Sequence, residues 1–238
     1  MRRITQKLCS SGDSVCGSRG TLGGFVKKKN LPTVSPRDHE HAPLPMTDTL
    51  VALVSKHATQ GLQFLTWDTN PLIIGQIEPE KSSDREMDIL PVDVYDTFRH
   101  LCDTAFRIEH NARMTFTRLR KKEEIQDLIG APVHIWGAHS RPGLGILVRH
   151  ELRTRNGLWI TVRDRTCAAP FAQPGDSGAM VCFYDPHHGG ILYAIAMVVE
   201  IMRSNNGSDP KYTAQIVDDS LQKLSIWNGC EYKFIEDD

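Results

Sequence analysis

The sequence predicts a mostly β protein whose short strands gather into two halves around a helical or irregular connector. Three observations carry that prediction. Short apolar runs bounded by Gly, Pro, Asn or Asp recur from Gly20 to Asp93 and again after Pro132, the pattern of a sandwich or barrel. Between them, Tyr95, Phe98, Leu101, Cys102 and Ala105 recur at helical spacing. The chain has 238 residues, 40% hydrophobic and 24% charged, which suffices for the core of one large domain or two small ones.

In chain order, residues 1–19 are polar and without periodicity, and read as a flexible lead-in. Residues 20–93 form the first β unit. It opens on Gly20-Thr-Leu-Gly-Gly-Phe-Val26, where the glycines suggest bending or close backbone approach. Residues 27–48, with Lys27, Lys28, Lys29 and four prolines, read as a surface loop. Thr49 to His57 is a compact apolar strand, followed by Phe64–Trp67, Leu72–Ile77 and Asp88–Val92. Residues 94–131 form the connector, with Arg118, Arg120, Lys121 and Lys122 on a solvated face. Residues 132–238 form the second β unit. It closes on a predicted amphipathic helix through Ala214, Ile216, Val217, Leu221 and Leu224.

Composition narrows the function. The formal net charge is -1, so no global basic excess points to nucleic acid. The longest apolar run, Ile191 to Val199, is nine residues, against the ~20 that span a bilayer. The N-terminus is basic without an apolar segment. The expectation is therefore a cytoplasmic protein with reduced cysteines, a mitochondrial presequence being the less favoured reading. Cys9-x6-Cys16, Asp38-His39-Glu40-His41 and His187-His188 each lack a full ligand set. No metal and no organic cofactor are expected.

The segment that carries chemistry is Pro174-Gly175-Asp176-Ser177-Gly178-Ala179, ahead of the apolar Met180–Phe183. A serine hydroxyl is a poor nucleophile unless a base takes its proton and N–H groups await the negative charge. Gly175 lets the chain turn so that its N–H and that of Ser177 point at one spot, and Gly178 leaves room for a carbonyl. Gly12-Asp13-Ser14 is a decoy, followed by Val15 and no apolar strand.

Gly-Asp-Ser-Gly resembles the nucleophile loop of the trypsin/chymotrypsin-like serine peptidases. The strand ending Ala52-Leu-Val-Ser-Lys-His57 resembles their histidine segment. Asp88-Ile-Leu-Pro-Val92 resembles their aspartate segment, and Pro132–Val148 the opening hairpin of their second barrel. The resemblance covers roughly residues 20 to 226, and the order His57, Asp88, Ser177 is that clan's order. It implies two antiparallel β-barrels with the active site between them, a helical connector and a C-terminal helix. It implies a serine endopeptidase acting on a polypeptide substrate. In it Ser177 is nucleophile, His57 general base and Asp88 its orienting partner, with Asp84 and Asp93 as rivals for that last place. Gly175 and Ser177 supply the oxyanion hole. Phe171 lies at the base of the specificity pocket and Met197, Val198 and Val199 form its wall.

Two departures stand beside the resemblance. No cysteine flanks His57, and no Ile-Val-Gly-Gly activation site supplies a new N-terminus for Asp176. Both point to intracellular, bacterial-type or viral-type members. A catalytically silent peptide-binding module and a self-cleaving regulatory module remain open on the sequence alone.

Overall fold

The protein is described by a computed structural model covering residues 8–30, 48–77, 87–114, 117–153, 157–202 and 209–235. Asp84, the Asp38–His41 cluster and the proline-rich residues 31–47 lie outside the described residues.

The first half holds β1 (Cys9–Ser10), β2 (Ser14–Val15), β3 (Gly20–Thr21), β4 (Gly24–Asn30), β5 (Thr49–Ser55), β6 (Phe64–Trp67), β7 (Leu72–Gln76) and β8 (Ile89–Asp93). β4, β5 and β8 lie side by side and antiparallel, while β3, β2, β6 and β7 form a second sheet. A bridge from Gly75 to Val94 joins the two. Phe25, Val54, Leu65, Trp67, Ile74 and Val92 fill the space between them. β5 shows why its sequence is apolar without alternation. Ala52 and Val54 face this core, whereas Val51 and Leu53 face a second cluster shared with the other half. Both faces of the strand are buried, so both must be apolar.

Residues 8–19 are not the flexible lead-in their polarity suggested. Cys9, Ser10, Asp13, Val15 and Cys16 are buried. The polar ones find partners: Asp13 Oδ2 accepts Ser10 N at 3.0 Å and Trp67 Nε1 at 3.1 Å. Lys27–Lys29 also depart from the predicted loop, because β4 carries them into the sheet, where Lys28 pairs with Asp93 at 2.8 Å.

The connector alternates 3₁₀ helical turns with short strands. A 3₁₀ turn spans Asp96–Leu101, and then β9 (Cys102–Asp103) pairs parallel with β1. β10 (Phe106–Arg107) and β11 (Arg113–Met114) form a small hairpin. β12 (Thr117–Leu119) and a second 3₁₀ segment, Lys122–Leu128, lead into the second half.

That half holds β13 (Pro132–Ile135), β14 (Gly143–Arg153), β15 (Gly157–Asp164), β16 (Met180–Asp185), β17 (Ile191–Met202) and β18 (Lys211–Ile216). The order β17-β16-β13-β14-β15-β18 closes by pairing β18 back onto β17, giving a six-stranded antiparallel barrel. Register shifts at Leu147/Arg149, Val181/Cys182 and Val198/Glu200 supply the bends that closure needs.

α1 (Val217–Asn228) begins later than predicted, for Ala214 and Ile216 belong to β18. Gly229, at φ +61°, ends the helix in the left-handed conformation that glycine tolerates. The final strand, β19 (Cys230–Phe234), returns to pair with β4. β19, placed with the second unit on the sequence, thus completes the first half's sheet along its whole length. Among the described residues no helix is long and apolar enough to cross a membrane.

Candidate active site

His57, Asp88 and Ser177 are positioned by strand ends. β5 runs buried to Ser55, and a 3₁₀ turn over His57–Thr59 then lifts the imidazole to the surface, where its side chain is 47% exposed. In the β5–β8 ladder Ser55 pairs with Ile89. The next pair outward sets Lys56 against Asp88, and Lys56 N donates to Asp88 O at 2.6 Å. Asp88 thus sits beside the histidine by register alone. Ser177 precedes β16, and its carbonyl accepts Thr21 N at 2.8 Å, which ties the serine loop to the first half.

The three side chains meet. His57 Nδ1 lies 2.8 Å from Asp88 Oδ1, and His57 Nε2 lies 3.0 Å from Ser177 Oγ. The carboxylate fixes the tautomer: Nδ1–H donates to Asp88, which leaves the Nε2 lone pair facing the serine. The hydrogen bond to Asp88 raises the His57 pKa above the ordinary 6.5, burial opposes it, and the charges of Asp88 and Glu200 add to the rise. Asp93 is engaged elsewhere by Lys28.

Several solved structures share this architecture. Protease A of Thermobifida fusca matches with a TM-score of 0.56 and 13% identity over 95% of this chain and 98% of its own. A Cellulomonas bogoriensis chymotrypsin matches with 0.53 and 13% over 96% and 98%. A glutamic-acid-specific serine protease matches with 0.54 and 12% over 93% and 98%. The fold is that of the trypsin/chymotrypsin-like serine proteases. No protein-family model and no curated protein matches the sequence.

Within this protease fold the serine loop is held from inside. Asp176 is fully buried, and its carboxylate accepts His139 N at 2.8 Å, Ser140 N at 3.3 Å and Gln173 N at 2.8 Å. These main-chain groups give both carboxylate oxygens their partners. The Asp176 N–H itself turns inward to Gln173 O. The N–H groups of Gly175, at φ +96°, and Ser177 donate to no acceptor among the described residues. Thr21 stitches the halves together here, donating to Gly175 O at 2.9 Å and accepting Ala138 N at 3.0 Å.

The pocket residues are a partial correction. Phe171 is fully buried, lies edge-on to Tyr212 at 5.3 Å, and donates its N–H to Asp164 Oδ1 at 2.6 Å. Burial and the Asp164 carboxylate hold the Tyr212 phenol well above its usual range, so it stays a donor. Met197 and Val198 point to opposite faces of β17 and fill two different cores. Only Val199 is partly exposed, and its carbonyl lies 3.3 Å from Ser177 Oγ. The large apolar side chains serve the barrels and not an open cavity, because enclosing each contributes ~1.5–3 kcal/mol.

Sequence reasoning missed two polar residues behind His57 and Asp88. Ser55 Oγ donates to Asp88 Oδ2 at 2.7 Å, and Gln215 Oε1 accepts Asp88 N at 2.9 Å. A visible signal existed for the first: Ser55 is a lone hydroxyl closing the apolar run of β5. Among the described residues no cluster of His, Cys, Asp and Glu is placed to hold a metal ion.

Proposed function

We propose that the protein is a serine endopeptidase that works through an acyl-enzyme. The observation that carries this reading is the hydrogen-bonded line from Asp88 Oδ1 through His57 to Ser177 Oγ, 2.8 and 3.0 Å long. Ser177 Oγ attacks the scissile carbonyl as its proton passes to His57 Nε2. His57 then gives that proton to the leaving amine, and Asp88 stabilises the imidazolium between the two transfers. The N–H groups of Gly175 and Ser177 receive the carbonyl oxygen as it becomes an oxyanion. Losing one such donor costs about 10²–10³ in rate. Water, activated by the same histidine, releases the acyl group.

The substrate lies along β17. β16 pairs with that strand only as far as Met197, while β18 covers the other edge through Met202. The first edge is therefore open beside the serine from Val199 onward, and an extended polypeptide can add to it as a further strand. By the resemblance Phe171 lies beneath the side chain before the scissile bond; its packing on Tyr212, and the engagement of Asp164 by Phe171 N and the Tyr212 hydroxyl, support a small, uncharged residue there.

Incubation with a peptide library, read by mass spectrometry, tests this. Cleavage after residues such as Ala, abolished in Ser177→Ala and unaffected by a metal chelator, is the expected result. Peptide binding without cleavage would make the cleft a binding module, and a preference for Arg or Lys would overturn the specificity.

A further inference from the structure

We infer that Ser55 is a positioning residue for the proposed His57–Asp88 pair, holding the carboxylate in the one orientation that serves the histidine. The inference rests on the protease reading. Ser55 is the last residue of β5 and is 1% exposed. Its Oγ lies 2.7 Å from Asp88 Oδ2 and 2.9 Å from His57 Nδ1. The hydroxyl has a single proton, and an ionised carboxylate only accepts, so that proton points at Oδ2. The lone pairs of Ser55 Oγ then face Nδ1–H.

The result is a divided carboxylate. Oδ1 receives His57 N at 3.0 Å and His57 Nδ1 at 2.8 Å, while Oδ2 receives Ser55. The Asp88 main chain is fixed on both sides, by Gln215 at its N–H and by Lys56 at its carbonyl. What stays free is rotation of the side chain. A carboxylate held by one oxygen can turn about its Cβ–Cγ bond; the Ser55 bond to the other oxygen stops that turn. It also gives Nδ1–H a second acceptor, so the imidazole cannot swing out of plane without losing two contacts. Positioning of this kind acts through His57, since Ser55 does not reach Ser177 or the substrate. The groups that set the charge at His57 are Asp88, ahead of β8, and Glu200 on β17.

The test compares wild type, Ser55→Ala and Ser55→Thr in full-length protein. Loss of the hydroxyl lowers kcat by about tenfold to a hundredfold with KM little changed. In Ser55→Ala the acid limb of kcat/KM moves to lower pH, toward an unpaired imidazole, and the low-field proton resonance of His57 Nδ1 moves upfield. Ser55→Thr restores all three. A lower kcat with the limb and the resonance unmoved, or a limb moved to higher pH, would overturn the inference. If wild type cleaves nothing, the protease reading fails by itself, and the Nδ1 resonance still reports on Ser55.

Discussion

The buried carboxylate of Asp176 accepts the main-chain N–H of His139 at 2.8 Å, so the serine loop is anchored by the turn that follows β13. With Ser140 and Gln173 it gathers three N–H donors around one charge. Asp176→Asn removes that charge and turns an amide NH₂ against one of the donors. Bonds to a buried charge are worth about 1.5–3 kcal/mol each. The variant should lose about that much stability and more than tenfold in kcat, read by denaturant unfolding and steady-state kinetics. An unchanged kcat would show that the loop keeps its shape without the anchor.

Gly178 gives a second, purely steric prediction. Its φ is +96°, and a Cβ there would run into the Thr21 carbonyl and sit 3.2 Å from Ser55 N. Gly178→Ala is strained by at least about 1–3 kcal/mol from the backbone alone. It should lower the unfolding midpoint and displace the serine from His57. Wild-type stability with wild-type activity would contradict the packing described between the two halves.

The order His57, Asp88, Ser177 was legible because each residue sits at the end of an apolar strand or between glycines, and those are local signals. Residues 8–19 were not legible, because their buried side chains include Ser10 and Asp13, whose partners come from turns and from Trp67, 54 residues away. Lys27–Lys29 looked like a loop because nothing local announces that β19 will pair with them. Ala214 and Ile216 fit a helical period as well as the inward face of a strand, and barrel closure decided for the strand. Phe171, six residues before Ser177, was placed at a pocket base by the family resemblance. Its contact with Tyr212 on β18, which encloses it, is made across the barrel.

The pH dependence follows from His57. Its pKa is raised, first by the Asp88 hydrogen bond, and catalysis needs it neutral. On the proposed mechanism the acid limb of kcat/KM should therefore lie above 6.5. The same shift favours the protonated folded state. Its contribution to stability is complete below pH 6.5 and is lost as pH rises through the folded pKa. Activity thus climbs where this contribution fades. Asp88→Asn should bring the acid limb down toward the ordinary imidazole value and lower kcat by about 10⁴. A limb that stays put in Asp88→Asn would detach Asp88 from the histidine.

Phe171→Ala removes the ring packed against Tyr212. It should cost about 3–5 kcal/mol as a core truncation. In the fraction that remains folded, it should shift cleavage from small residues toward Leu or Phe. A library profile identical to wild type would mean that Phe171 serves the barrel core alone and does not limit the substrate.

The most direct test of the central claim is covalent labelling with a fluorophosphonate, read by intact mass and peptide mapping. The hydrogen-bonded line from Asp88 to Ser177 predicts a single adduct, on Ser177, formed quickly in wild type and absent in Ser177→Ala and His57→Ala. No adduct, or an adduct on another serine, would contradict it.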